Sequence, residues 1–282
     1  MTASWADTDI EPLTELRARR RREVAGPRGP VSFYWGDFVT EVDQHVEGAP
    51  GRWSPRDAGL PGLLVRAGAD EGIRIGGAVV DGEAILYVDE AAGPIVAEFP
   101  DGAEGVIFTY DGSKYALQVW NQASPWAQRF HDIASFDEDP SWIVEATVTP
   151  AASGRTVSIV HHRDPVPVDV PVVATLRFER DDRTHELVAT AAGPARDRLL
   201  VHFRDATSGT ESYGAGRSLW IDVHDVLDGS GTTVLDFNRA TLLPCSFSTA
   251  WNCPIPPTEN TLPIEVRAGE RHAVDIDGNP LL

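Results

Sequence analysis

Tyr213, Arg217, Asp236 and Asn238 are the residues whose types and spacing best suit chemistry. Tyr213 and Arg217 flank the bend Gly214-Ala215-Gly216, while Asp236 and Asn238 share a face if the run around them is extended, because alternate strand residues point the same way. Pairing of those two stretches predicts that all four meet. Arg217 would then clamp a carboxylate or phosphate through its planar fork, Asp236 would hold the guanidinium or act as base, and Tyr213 would donate a proton. The same residue types also satisfy buried polar groups under irregular loops. What separates the two roles is whether the cluster opens on a hollow.

The segment from Phe203 to Glu270 is expected to wall this site, with Trp220, Asn238, Cys245, Cys253 and Asn260 as substrate-binding candidates beside the catalytic Tyr213, Arg217 and Asp236. No metal ligands are assigned and the cofactor is unknown. Cys245 and Cys253 admit three chemistries. They can be two buried free thiols, a disulfide constraining the unfolded chain by about 2.6 kcal/mol on the loop-entropy account, or half of a zinc site whose spacing does not resemble a structural knuckle. Asp205, Thr207 and Ser208 lie in a D-x-T-S-G run, which is turn chemistry through side chain to backbone bonds. No G-x-S-x-G, H-E-x-x-H, C-x-x-C or phosphate-cradling glycine loop occurs.

The elements that must position these residues are mostly strands. Glu11 to Val24 reads as one exposed helix with Pro12 near its start, and its Arg19 to Arg22 run is expected to lie across an acidic body. Beyond Gly26 the chain becomes short apolar runs punctuated by Gly, Asp and Pro. Candidate strands include Val31 to Trp35, Leu63 to Ala67, Val106 to Tyr110, Tyr115 to Trp120, Trp142 to Thr149, Val172 to Phe178, Leu199 to Phe203, Leu219 to Val223 and Val234 to Phe237. Asp111-Gly112 between two of them predicts a hairpin. Pro165 to Pro171 reads as an edge or crossover, since proline cannot donate to a ladder. The expected fold is mainly β, sandwich-like or barrel-like antiparallel sheets with one N-terminal α-helix. Residues 1–30 are expected as a helical arm, 31–135 as a smaller β domain and 136–282 as a larger one.

Composition narrows the partners. A formal net charge of −19, from 43 acids against 24 bases, argues against nucleic acid, which needs clustered Lys and Arg. No apolar run approaches the ~20 residues of a membrane helix, and the acidic start has no apolar core of signal-peptide length. The expectation is a cytoplasmic, acidic protein.

The runs FRDATSGTESYGAGRSL and LDFNRA, the Pro244-Cys245 step, CPIPPTEN and AGE resemble those of a bacterial and archaeal family known as domain of unknown function 1684. LRARRRREV, DGSKYALQVW and FDEDPSWIVEA extend that resemblance upstream. Where the family has Ala-Tyr-Asn-Pro-Pro-Cys, this chain has Ala240, Thr241, Leu242, Leu243, Pro244 and Cys245, and Gln118 and Asn121 replace a family Arg and Asp. The resemblance implies an architecture and no activity. Two functions are expected from the residues: a small-molecule-binding β protein, acting on an anionic organic metabolite by acid–base chemistry if it is an enzyme, or a non-catalytic β module for protein–protein interaction. A cavity at Arg217 would favour the first, and a flat apolar patch around Trp251, Ile255 and Leu262 the second. The sequence leaves the oligomeric state unknown.

Overall fold

The computed structural model describes residues 11–57, 60–89, 93–109, 112, 114–192, 198–222 and 231–282. Asp111 of the expected hairpin turn lies outside them, as do the expected strand ends Tyr110 and Val223. The chain forms two compact units: unit 1 is Met1–Glu23, Asp132–Leu243 and Pro254–Ala273, and unit 2 is Val24–His131, Pro244–Cys253 and Val274–Leu282. The protein is mainly β with antiparallel strand pairing and one N-terminal helix of several turns, α1 (Leu13–Val24). No sheet among the described residues closes into a barrel.

In unit 2 the strands are β1 (Phe33–Phe38), β2 (Arg52–Pro55), β3 (Leu63–Ala67), β4 (Arg74–Ile75), β5 (Ala78–Val79), β6 (Gly82–Leu86), β7 (Val88–Asp89), β8 (Gly93–Pro94), β9 (Val96–Glu98), β10 (Glu104–Phe108) and β11 (Ala116–Trp120). They make one sheet in the order β1-β11-β10-β9-β4-β5, another in the order β2-β3-β6, and the ribbon β7-β8. Adjacent pairing of β10 and β11, from Glu104↔Trp120 to Phe108↔Ala116, is the ladder the Asp111-Gly112 signal anticipates. Trp53, Leu63, Val65, Leu86, Leu117 and Val119 form the core.

In unit 1 the strands are β12 (Asp132–Ser135), β13 (Ile143–Pro150), β14 (Thr156–Ile159), β15 (Val168–Arg180), β16 (Arg183–Ala192), β17 (Arg198–Phe203), β18 (Arg217–Asp222), β19 (Thr232–Asp236), β20 (Thr241–Leu242) and β21 (Glu270–Val274). The large sheet runs β19-β13-β15-β16-β17-β18-β20, with β14 on the early part of β15, and β12 pairs with β21. Pro171 lies in the stretch of β15 facing Thr156 of β14. Asp181 and Asp182 join β15 to β16 with both φ angles positive, 52° and 55°, the backbone that suits the right-handed twist of a two-residue hairpin turn.

The two faces of this sheet carry different residues. Leu199, Val201 and Phe203 of β17 and Leu219 and Ile221 of β18 join the main core, with Leu176, Phe178, Leu235 and Phe237. By the strand's two-residue period, Leu200, His202, Ser218 and Trp220 occupy the other face. There Val157, Ile159, Val172 and Val188 form a second, smaller apolar cluster.

Candidate functional site

Arg217 opens β18 on the core face and is fully buried. Its Nη2 donates to Asp205 Oδ1 at 3.1 Å and to the Val266 carbonyl at 2.7 Å, and its Nη1 donates to the carbonyls of Ala268 and, at 3.4 Å, Glu270. Phe203 and Phe136 stack near the guanidinium, with centroids 5.3 and 5.6 Å from Cζ. Burial pulls its proton affinity below the ordinary guanidinium value, while Asp205 opposes that shift.

Arg217 Nε has no hydrogen-bond partner among the described residues, whereas Asp205 is bonded at both carboxylate oxygens. Its carboxylate accepts from Thr207 Oγ1, Ser208 Oγ, the Val266 N–H at 2.7 Å and Arg217. The D-x-T-S-G turn therefore forms as the sequence indicates, and the same aspartate is the counter-ion of Arg217. Two glycines hold the knot: a Cβ on Gly216, at φ +89°, would lie 2.3 Å from the Phe203 carbonyl, and one on Gly269, at φ +80°, 2.7 Å from the carbonyls of Phe237 and Ala240. Buried Glu270 takes both Arg20 Nε and Nη2, at 3.0 and 3.2 Å, and the Leu242 N–H at 2.6 Å. Part of the basic run on α1 is thus a structural brace, seated on buried Glu270.

The expected meeting of Arg217 with Asp236 is corrected by these contacts. β19 stops at Asp236 because that side chain caps a 3₁₀ turn over Phe237–Arg239, accepting from the Asn238 N–H and Nδ2 at 3.0 Å and from Arg239 Nε at 3.1 Å. The extended geometry that was to align Asp236 with Asn238 is broken at that point. Asn238 clamps the Asp139 backbone, accepting from its N–H at 2.9 Å and donating to its carbonyl at 3.0 Å. Tyr213 is half-buried at the start of the bend, with its N–H on the Arg271 carbonyl. Trp220 is 43% exposed on the face opposite Arg217, so it does not join that cluster. Cys245 and Cys253 are buried free thiols belonging to unit 2, whereas Arg217 belongs to unit 1.

Asn260 leads to a different place. It is buried, accepts from the Val188 N–H at 2.7 Å and donates to the carbonyls of Val188 at 2.9 Å and His202 at 2.7 Å, fixing the Pro254–Asn260 loop over β16 and β17. On that face a small cavity of about 10 Å³ is lined by Ile159, Val188, Thr190, Leu200, His202, Pro257 and Asn260. The His202 Nδ1 lies 2.8 Å from Ser218 Oγ. Burial, with His161 adding its charge, lowers the His202 imidazole to about 4, so the ring is neutral at ordinary pH. Trp220 is the next residue along this face after Ser218 and pairs across the ladder with Leu200, with the Arg198 guanidinium 4.9 Å from its ring centroid. The alternation of RLLVHF placed His202 away from the core, but nothing local showed that β14 and the proline loop cover it.

Among curated proteins no sequence matches this chain. The solution NMR structure of an uncharacterized protein of Haloarcula marismortui is 38% identical over 50% of this chain and 77% of its own, with a TM-score of 0.42. The model of a family described as protein of unknown function (DUF1684) matches residues 128–271, which hold most of the large sheet, the Arg217 knot and the His202 cleft, and the chain belongs to that family.

Proposed function

We propose that the protein binds a small organic molecule at the His202 cleft and not at Arg217. The observation that carries this reading is a neutral, desolvated imidazole paired with Ser218 at a small cavity, on the same sheet face as the exposed Trp220. At about 10 Å³ the cavity holds one water-sized group. An uncharged hydroxyl, carbonyl or methyl end suits a neutral ring, a hydroxyl and the apolar Ile159, Val188 and Leu200 around it. The flatter or anionic remainder of the ligand lies toward Trp220 and Arg198. This preserves a small organic ligand with an anionic part while moving its site. Binding is better supported than catalysis, because none of the lining residues is a carboxylate that would orient the imidazole as a general base.

Of the patch expected for the protein–protein alternative, Ile255 alone is exposed, at 36%. Leu262 is 2% exposed within the core of unit 1, and Trp251 stacks on Phe33, centroids 4.1 Å apart, inside unit 2. The test is an NMR titration of the His202 ring signals with a panel of short-chain alcohols, amides and hydroxy acids. Saturable shifts in the native protein that disappear in Trp220→Ala are expected. Shifts in no case, or shifts equal in the variant, would remove the cleft as the site.

A further inference from the structure

We propose that Cys245 and Cys253 are an oxidation site, a preorganised dithiol that closes to a disulfide within unit 2. Both side chains are buried, 2% and 5% exposed, and unoxidised. The Cys245 N–H donates to Cys253 Sγ at 3.1 Å. That contact brings the Cys245 Cα within about 4.6 Å of the partner sulfur, given an N–Cα bond of about 1.46 Å, so the two residues are immediate neighbours in space. The adjacent Cys245 side chain, with burial, pushes the Cys253 thiol up.

The arrangement is set by the rest of the segment and does not depend on a covalent bond. Pro244–Ser246 forms a 3₁₀ turn, Ser248 Oγ donates to the Phe33 carbonyl at 2.8 Å, and Trp251 Nε1 donates to the Pro30 carbonyl at 3.0 Å. Trp251 further packs on Phe33 and Trp120. Residues 245 and 253 are thereby held face to face at both ends of one loop.

The oxidant is a water-sized peroxide, since a buried pair excludes bulky disulfides. One thiol, as thiolate, attacks hydrogen peroxide; the O–O bond breaks, a sulfenic acid forms and one water leaves. The second thiol attacks that sulfur, the S–O bond breaks, the S–S bond forms and a second water leaves. In balance, two thiols lose two electrons and two protons, and one peroxide becomes two waters. A raised thiol makes the first step slower than for free cysteine, because the thiolate is the nucleophile.

The experiment treats the native full-length protein with hydrogen peroxide and maps its peptides by mass spectrometry, with thiols counted after denaturation. The expected result is a loss of two hydrogens on a peptide pair joining Cys245 and Cys253, a fall from two titratable thiols to none, and reversal by dithiothreitol. The Cys253→Ser variant is expected to show no such cross-link. Two thiols that remain titratable, oxygen added to either sulfur without a cross-link, or a disulfide between two chains would each overturn the proposal.

Discussion

Arg217 and His202 stand on neighbouring strands of one sheet, on opposite faces, and burial lowers the proton affinity of both. Their outcomes differ because their surroundings differ. Arg217 stays charged among Asp205 and three main-chain carbonyls and is fully buried. His202 has one hydroxyl partner on its Nδ1, gives up its charge, and lines a cleft. The residues richest in charge therefore serve the fold, and the plainer histidine is the one that lines the proposed site.

That contrast can be broken in three ways. The largest effect is expected at Arg217. Arg217→Ala leaves Asp205 buried without its cation and should cost about 3–5 kcal/mol, read as a fall in the denaturation midpoint. The double variant Asp205→Leu with Arg217→Met should recover part of that loss, because the unpaired charge is gone. Single and double variants equally stable to the native chain would show that the pair is not structural.

Asn260→Ala comes next. It strips partners from the Val188 N–H and from the carbonyls of Val188 and His202. Leaving such buried groups unmet should cost about 2–4 kcal/mol, and amide exchange at Val188 should rise with it. A change below about 0.5 kcal/mol would mean that water replaces the side chain without penalty.

The smallest of the three is a pH effect at His202. In the unfolded chain this imidazole takes up a proton near 6.5, and in the folded chain only near about 4. Between those values the unfolded state binds more protons, so stability falls as pH is lowered through the window and the contribution is complete above it. Between pH 6.5 and 4 the loss comes to about 2–3 kcal/mol. His161 lies close enough to act on the ring by its charge, and other groups of the chain also respond to acid, so the comparison is with His202→Gln. The native protein should lose more stability than the variant between pH 6.5 and 4. Parallel curves would mean that His202 titrates as though exposed.

Much of the fold was legible because its strands alternate cleanly. RLLVHF sorts Leu199, Val201 and Phe203 from Leu200 and His202, and the apolar runs around Asp111-Gly112 do form adjacent paired strands. The turn chemistry of Asp205, Thr207 and Ser208 was legible for the same local reason. The partner of Arg217 was not, because it depends on where residues 266–270 pack, some fifty positions along the chain. A local signal did exist against Asp236 as that partner. Asp-Phe-Asn is an aspartate poised to bond the backbone two residues on, and it does so with Asn238. β2 was missed since it is short and ends at Pro55. The cover over His202 rests on pairing of β14 with β15 and on Asn260, both non-local, so no sequence window contains it.

The most direct test is the melting temperature of Arg217→Lys. A lysine keeps the charge but cannot reach Asp205 and several carbonyls at once, so a structural Arg217 predicts a drop of at least about 6 °C at roughly 2–4 °C per kcal/mol. A variant that melts within about 1 °C of the native protein would contradict the account and return Arg217 to the list of ligand-binding residues.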